Sequence, residues 1–213
     1  MKAYIFDMDG TLLDSLYVWA RVDIEFLEKR GIVVPADYWD QISSMSFSEC
    51  AVYTIERFGL PDNAGSLVQE WNDMAAYDYG HTVQMKPHAK EYLRVLRERG
   101  MKLAIATSLM PELIEAALNK QGIRDWFAVI CREDEVENSK ESPDIFLLTA
   151  ARLGVSPSEC IVFEDILAAV KSAKNAGMTV CGVYDEASAN DWEQIKEAAD
   201  YAILDFYNAP LLL

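Results

Sequence analysis

From residue 86 onward the chain repeats one alternation: a short apolar run, then a longer amphipathic stretch closed by a glycine or a polar break. The runs are Leu103-Ala104-Ile105-Ala106, Phe127-Ala128-Val129-Ile130, Ile161-Val162-Phe163, Thr179 to Val183, and Tyr201 to Leu204. Helical spacing predicts helices over 87–99, 111–120, 142–153, 166–176 and 192–199, with Pro143 tolerated in a first turn. Apolar runs this short, bounded by breaks, read as strands buried on both faces. Strand and helix in strict alternation imply a parallel sheet, because a parallel crossover needs a covering helix.

One more run stands at the start. Ala3-Tyr4-Ile5-Phe6 ends abruptly in Asp7-Met8-Asp9-Gly10-Thr11. Asp7 therefore falls at the carboxyl end of a central strand, the edge at which open α/β sheets bind ligands. In extended backbone Asp7 and Asp9 project to one side, roughly 6–7 Å apart along the chain. Gly10 has no Cβ and lets the backbone turn and approach a ligand closely. Two carboxylates at a strand end are costly if left unpaired, and a hard divalent cation offsets that cost. Mg²⁺ takes one or two carboxylates together with substrate phosphate. Taken alone, these residues also fit a solvated turn. The Asp-x-Asp-Gly pattern fits a calcium loop too, but the further acids and final Glu of such a loop are missing.

Between Leu12 and Gln84 the pattern is helical throughout and no strand is expected. Asp14-Ser15 can cap a first helix carrying Val18, Val22, Phe26 and Leu27, which ends at Gly31. Further helices are expected over 38–42, 48–58 and 64–79, broken by Gly59-Leu60-Pro61 and by Gly80. This block holds 11 of the 23 aromatic residues, among them Tyr17, Trp19, Trp39, Phe47, Trp71, Tyr77 and Tyr79. So dense a set reads as the core of a small helical bundle, with one or two rings lining a cavity at its open end.

The formal net charge of -16 argues against nucleic acid or an anionic membrane as a partner. It also means that an anionic substrate needs local cations at its site. No apolar stretch approaches the length of a membrane span, and no basic or signal-like leader is evident, so a cytoplasmic protein is expected. Cys131, Cys160 and Cys181 lie beside Val/Ile-rich runs and read as small core residues, while Cys50 lies in the helical block. The wide spacing of all four gives neither a disulfide framework nor a zinc site. His81 and His88 read as loop or surface residues. A monomer is favoured.

On a parallel sheet distant strand ends meet at one edge. Asp7 and Asp9 follow the first strand, Thr107 and Ser108 the second, Glu164 and Asp165 a later one, and Lys140 precedes a helix. Singly, each has a plainer reading: Thr107 as a helix cap, Lys140 as a surface lysine, Glu164-Asp165 as an N-terminal pair favoured by the helix dipole. Together they are the parts that phosphoryl transfer needs.

These residues resemble the motifs of the haloacid dehalogenase superfamily, in its phosphatase and β-phosphoglucomutase-like branch. The carriers are Asp7-Met8-Asp9-Gly10-Thr11-Leu12, Ala106-Thr107-Ser108, Lys140 with Pro143-Asp144-Ile145-Phe146, and Phe163-Glu164-Asp165. All four motifs stand in order, over essentially the whole chain. The resemblance implies a three-layer α/β/α, Rossmann-like core over residues 1–14 and 85–213, with a helical cap over 15–84. It makes Asp7 the nucleophile that forms an aspartyl-phosphate, and Asp9 the general acid and then base. Thr107, with Ser108 beside it, would bind phosphoryl oxygens, and Lys140 would neutralise Asp7 and phosphate. Mg²⁺ would be held by Asp7, Asp165 and the backbone carbonyl of Asp9, with Glu164 as a supporting acid.

The sequence departs from the family pattern in places. Glu141 stands where proline usually follows the lysine, and Ile166 and Ala169 replace a usual Ser and Gly. The segment from Ser44 to Glu49 resembles the relatives' specificity loop but lacks Gly, Arg and Lys. The family's sugar phosphomutases carry a His early in the first cap helix, where this chain has Trp19, and an Arg in that loop. The expected activity is therefore a Mg²⁺-dependent phosphatase for a small phosphorylated metabolite, with a sugar phosphomutase as the alternative. A non-catalytic phospho-acceptor domain would place its acceptor Asp on a middle strand and carry no helical insert. A true dehalogenase has no use for Asp9.

Overall fold

The computed structural model describes residues 1–42 and 45–212. Its centre is a six-stranded parallel sheet in the order β5-β4-β1-β6-β7-β8. The strands are β1 (Ala3–Phe6), β4 (Lys102–Thr107), β5 (Val129–Arg132), β6 (Cys160–Glu164), β7 (Thr179–Val183) and β8 (Tyr201–Ile203). β1 lies between β4 and β6, with Phe6 in register with Ile105 on one side and Phe163 on the other. The chain runs outward from β1 through β4 to β5, then returns to β6 on its other side. The strand order thus reverses at β1, the position where a parallel α/β sheet opens a crevice at its carboxyl edge.

Alternation along β1 sends its side chains to two cores. Tyr4 and Phe6 join Leu103, Ile105, Ile161 and Phe163 on one face, with Phe6 and Phe163 stacked at 4.8 Å. That face is covered by α5 (Ala89–Glu98) and α6 (Pro111–Gln121). Ala3 and Ile5 join Ala104, Ala106 and Val162 on the other, under α7 (Asp144–Leu153), α8 (Leu167–Asn175) and α9 (Trp192–Ala198). Cys131, Cys160 and Cys181 are buried, as the apolar runs around them predict. Among the described residues no helix is long and apolar enough to cross a membrane.

The helical block comprises α1 (Leu16–Glu28), α2 (Tyr38–Ile42), α3 (Phe47–Phe58) and α4 (Ala64–His81). Val18, Val22, Phe26 and Leu27 of α1 pack with Leu67, Trp71, Ala75 and Tyr79 of α4, and an Arg21–Asp78 ion pair joins the same helices. α3 starts with a capping box between Ser46 and Glu49. Ser44, at the start of the specificity-loop segment, lies outside the described residues.

The expectation of no strand between Leu12 and Gln84 needs correction. Leu13–Asp14 (β2) pairs antiparallel with Gln84–Met85 (β3), closing the two chain crossings that lead into and out of the helical block. Strands of two residues are too short to leave a periodic signal. Gly80 does not break α4 but lies inside it, where a Cβ would sit 3.9 Å from that of Ala116 in α6. The strand expected over 127–130 forms at 129–132, because a 3-10 turn over Arg124–Trp126 occupies the chain just before it.

Candidate active site

One register row explains the convergence. With Phe6 between Ile105 and Phe163, Asp7 and Glu164 each lie one residue past that row and Thr107 two past. Asp7 is anchored by its backbone N–H, which donates to the carbonyl of Phe163 at 3.1 Å. Lys140 enters from the segment before α7, and its Nζ donates to Asp7 Oδ1 and to Glu164 Oε1, both at 2.5 Å. Burial alone would lower the Lys140 ammonium, but the Asp7 and Glu164 carboxylates hold it above its usual value. The surface-lysine reading is thereby overturned.

Asp165 follows Glu164 and accepts a hydrogen bond from Thr11 Oγ1 at 2.8 Å. Its other oxygen, and Oε2 of Glu164, are buried with no protein partner. Gly10, at φ +72°, passes so close that a Cβ there would lie 2.3 Å from Asp165 Oδ2. Any other residue would be strained and would push into that carboxylate. Neither acid caps the next helix: the residue before α8 is Ile166, which makes no side-chain capping bond. Burial, and then the neighbouring carboxylates, push Asp165 well above its ordinary range. Burial also raises Glu164, against the pull of Lys140.

Oxygens of Asp7, Glu164 and Asp165 lie within 4.8 Å of one another. Three buried carboxylates face one ammonium, and two of their oxygens have no partner. Such a donor set fits a hard divalent cation, which takes oxygen ligands and makes up the missing positive charge.

Thr107 is buried, and its Oγ1 accepts from the N–H of Leu109 at 3.2 Å, which leaves the hydroxyl proton free to donate. It does not cap α6, whose preceding residue is Met110. Ser108 beside it is exposed.

Asp9 faces the other way, into the helical block. Ser15 Oγ donates to its Oδ1 at 2.6 Å, Trp19 Nε1 donates to its Oδ2 at 3.0 Å, and the Tyr79 hydroxyl lies 2.7 Å from both oxygens. Its carboxylate therefore stands outside the Asp7, Glu164 and Asp165 cluster, which leaves its backbone carbonyl for any metal contact. Burial raises Asp9 to about 6, with the Ser15, Tyr79 and Trp19 bonds pulling it down and Asp7 pushing it up. Ser15 does precede α1, yet its side chain serves Asp9 rather than the helix end.

The sequence reading did not foresee the roles of Thr11, Ser15, Trp19 and Tyr79. Trp19 and Tyr79 both belong to the aromatic set that reads as the bundle core, with one or two rings at its open end. The one available signal was chemical: a buried Tyr or Trp needs a partner for its polar atom.

A cleft of about 640 Å³ opens between the start of α3 and the loop that carries Lys140. Ser46 and Glu49 line one side, and residues 137–139, Glu141 and Ser142 the other. Among the described residues, three carboxylates and no cationic side chain line it.

Known proteins with this architecture give the class. The chain is 34% identical over 179 residues to the candidate phosphatase YhcW of Bacillus subtilis, covering 84% of this chain and 81% of that one. It is 28% identical over 205 residues to the phosphorylated carbohydrates phosphatase of Thermotoga maritima, covering 96% and 94%. Among solved structures it is similar to a candidate β-phosphoglucomutase of Thermotoga maritima, with a TM-score of 0.77 and 28% identity over 97% of this chain and 95% of that one. The protein is a phosphoric monoester hydrolase. It belongs to the haloacid dehalogenase-like hydrolase family, whose profile matches residues 4–183.

Proposed function

We propose that this chain is a Mg²⁺-dependent phosphatase that cleaves small phosphate monoesters through an aspartyl-phosphate on Asp7. The carrying observation is the Lys140 bridge between Asp7 and Glu164, set beside two buried carboxylate oxygens without partners. Residues 15–84 act as a cap over the sheet edge, and residues 1–14 and 85–213 as the catalytic core.

The Asp7 carboxylate attacks phosphorus while the ester P–O bond breaks. Asp9 gives its proton to the departing oxygen. The Thr107 hydroxyl and the Lys140 ammonium hold the phosphoryl oxygens in line with Asp7, and Ser108 borders them. Asp9, now a carboxylate, takes a proton from water, whose oxygen attacks the same phosphorus. Inorganic phosphate leaves and Asp7 is restored. A divalent cation would be held by Asp7, Asp165 and Glu164, with the Asp9 carbonyl, and would supply positive charge where negative charge develops.

The likeness to a candidate β-phosphoglucomutase favours a second reading, a sugar phosphomutase. The cleft supports hydrolysis instead. Glu49, Glu137 and Glu141 would repel the distal phosphate of a bisphosphate intermediate, and no cation among the described residues lines the cleft to hold it. Small phosphorylated sugars or polyols with an uncharged alcohol part suit it best. A phosphate-release screen over sugar phosphates, nucleotides and phosphorylated glycolytic acids tests this. Turnover of uncharged-alcohol monoesters above the acids is expected, and no phosphate release from any monoester would overturn the reading.

A further inference from the structure

We propose that Tyr79 is a positioning residue for the reaction: its hydroxyl, with the Trp19 indole, fixes the orientation of the Asp9 carboxyl from the helical block. The proposal rests on Asp9 being the acid of the phosphatase reaction above.

The geometry is specific. Asp9 Oδ1 accepts from Ser15 and Oδ2 from Trp19, and the single Tyr79 hydroxyl lies 2.7 Å from both oxygens. None of these partners lies on the sheet that carries the other reactive groups. Trp19 is a donor only, so it fixes which oxygen faces it. Tyr79 alone touches both oxygens, and so sets the rotation of the carboxyl plane. It is fully buried, and a buried side chain with one partner group has little freedom to move.

Tyr79 is itself set by the core. It lies next to Gly80, where α4 rests against Ala116 of α6. Just beyond, Gln121 Nε2 donates to the carbonyl of Val83 at 3.0 Å, and Lys120 Nζ reaches the same oxygen. The chain just past α4 is thus fastened to the sheet-covering helix α6. The Trp19 ring packs on Phe47 at 4.7 Å and lies 6.0 Å from Tyr79. The acid is aimed by whatever seat the helical block takes on the core. A half-ångström error in that aim matters, because proton transfer needs hydrogen-bond reach to the leaving oxygen.

The leaving group gives the test. An alkyl phosphate needs a proton on its departing oxygen, whereas p-nitrophenolate leaves without one. Removing the aim should therefore cost the first and spare the second. For Tyr79→Phe, kcat/KM on β-glycerol phosphate or fructose 1-phosphate, which ends at the phospho-enzyme, should fall at least about tenfold, within the range a general acid contributes. On p-nitrophenyl phosphate kcat/KM should change less than about twofold, while kcat on either ester can fall through the shared Asp9-assisted hydrolysis of the phospho-enzyme. Trp19→Phe should shift the same ratio in the same direction. Tyr77→Phe, at an exposed tyrosine on the same helix, serves as the control and should leave both rates unchanged. Equal losses of kcat/KM on both substrates, or no such loss on the alkyl ester, would overturn the role.

A second readout needs no turnover. The Trp19 indole N–H resonance, assigned through Trp19→Phe, should move in Tyr79→Phe as Asp9 turns. An unmoved resonance would overturn the positioning role even if no ester were hydrolysed, an outcome that counts separately against the phosphatase reading.

Discussion

Lys140 Nζ lies 2.5 Å from Oδ1 of Asp7 and 2.5 Å from Oε1 of Glu164, so one ammonium ties the ends of β1 and β6 together. Lys140→Met should remove both the phosphate contact and the charge that separates two buried acids. Breaking such a buried pair costs about 3–5 kcal/mol, because an uncompensated charge stays behind. Thermal denaturation should show a clear drop in midpoint, and kcat should fall at least about a hundredfold. A variant as stable and as active as the parent would remove Lys140 from the site.

Asp7→Asn should keep the fold, since an amide fits where the carboxylate stood and can still bond Lys140 poorly through its oxygen. Phosphate release should fall by at least about a thousandfold, as loss of a covalent nucleophile usually requires. Acid-quenched single turnovers with ³²P-labelled substrate should label the parent chain and not the variant. Retention of more than about a tenth of the rate would exclude Asp7 as nucleophile.

Chelation should abolish turnover and Mg²⁺ should restore it, because Asp7, Glu164, Asp165 and phosphate otherwise crowd like charges together. Asp165→Ala should behave like the chelated enzyme. Ca²⁺ should inhibit, its larger and looser coordination holding the reacting groups out of line. Full activity in excess chelator is the result that would end the metal proposal.

Stability of the metal-free protein should fall as pH rises from about 4 to about 7. Glu164 goes from its usual 4.5 to about 7 on folding, and Asp9 from 3.8 to about 6. In that window the folded chain holds protons that the unfolded chain has released, so the slope of unfolding free energy with pH is negative. The contribution is full below the unfolded values and gone once pH passes the folded ones. Mg²⁺ held only by the ionised acids of the folded chain would raise the midpoint most at pH 7 and above. Differential scanning fluorimetry from pH 4 to 8, with and without Mg²⁺, checks this. A metal-free midpoint that climbs over that range would contradict the carboxylate assignment.

Much of this was legible in the sequence. The parallel sheet followed from βα alternation, and Asp7, Thr107, Lys140, Glu164 and Asp165 stood out because each ends a strand or opens a helix. Such signals are local. The ribbon of β2 and β3 left none, since two residues carry no period. The partners of Asp9 were hidden for another reason. Trp19 and Tyr79 sit at helical spacing among apolar residues, where packing accounts for them, and only the folded chain brings a residue 70 positions away onto Asp9. Thr11 likewise reads as turn until Asp165 is placed beside it.

The choice between hydrolase and mutase turns on what waits at the far end of the cleft. A mutase must keep its phospho-enzyme long enough for a bisphosphate to turn round, and it must hold the distal phosphate meanwhile. Holding a dianion calls for Arg or Lys. Here the cleft presents Glu49, Glu137 and Glu141, and Glu49 is kept in place by the Ser46 backbone N–H at 2.8 Å. Where the family's sugar phosphomutases carry a histidine, Trp19 spends its only donor on Asp9. Each of these features works against a second phosphate and none against a neutral alcohol. Release of inorganic phosphate without isomerisation is therefore expected. The measurement supplies β-glucose 1-phosphate with a trace of glucose 1,6-bisphosphate and Mg²⁺, and follows both products by ³¹P NMR. Glucose 6-phosphate forming faster than inorganic phosphate would establish the mutase. Glu49→Arg should move the ratio toward it, because that substitution replaces one of the cleft's acids with a cation.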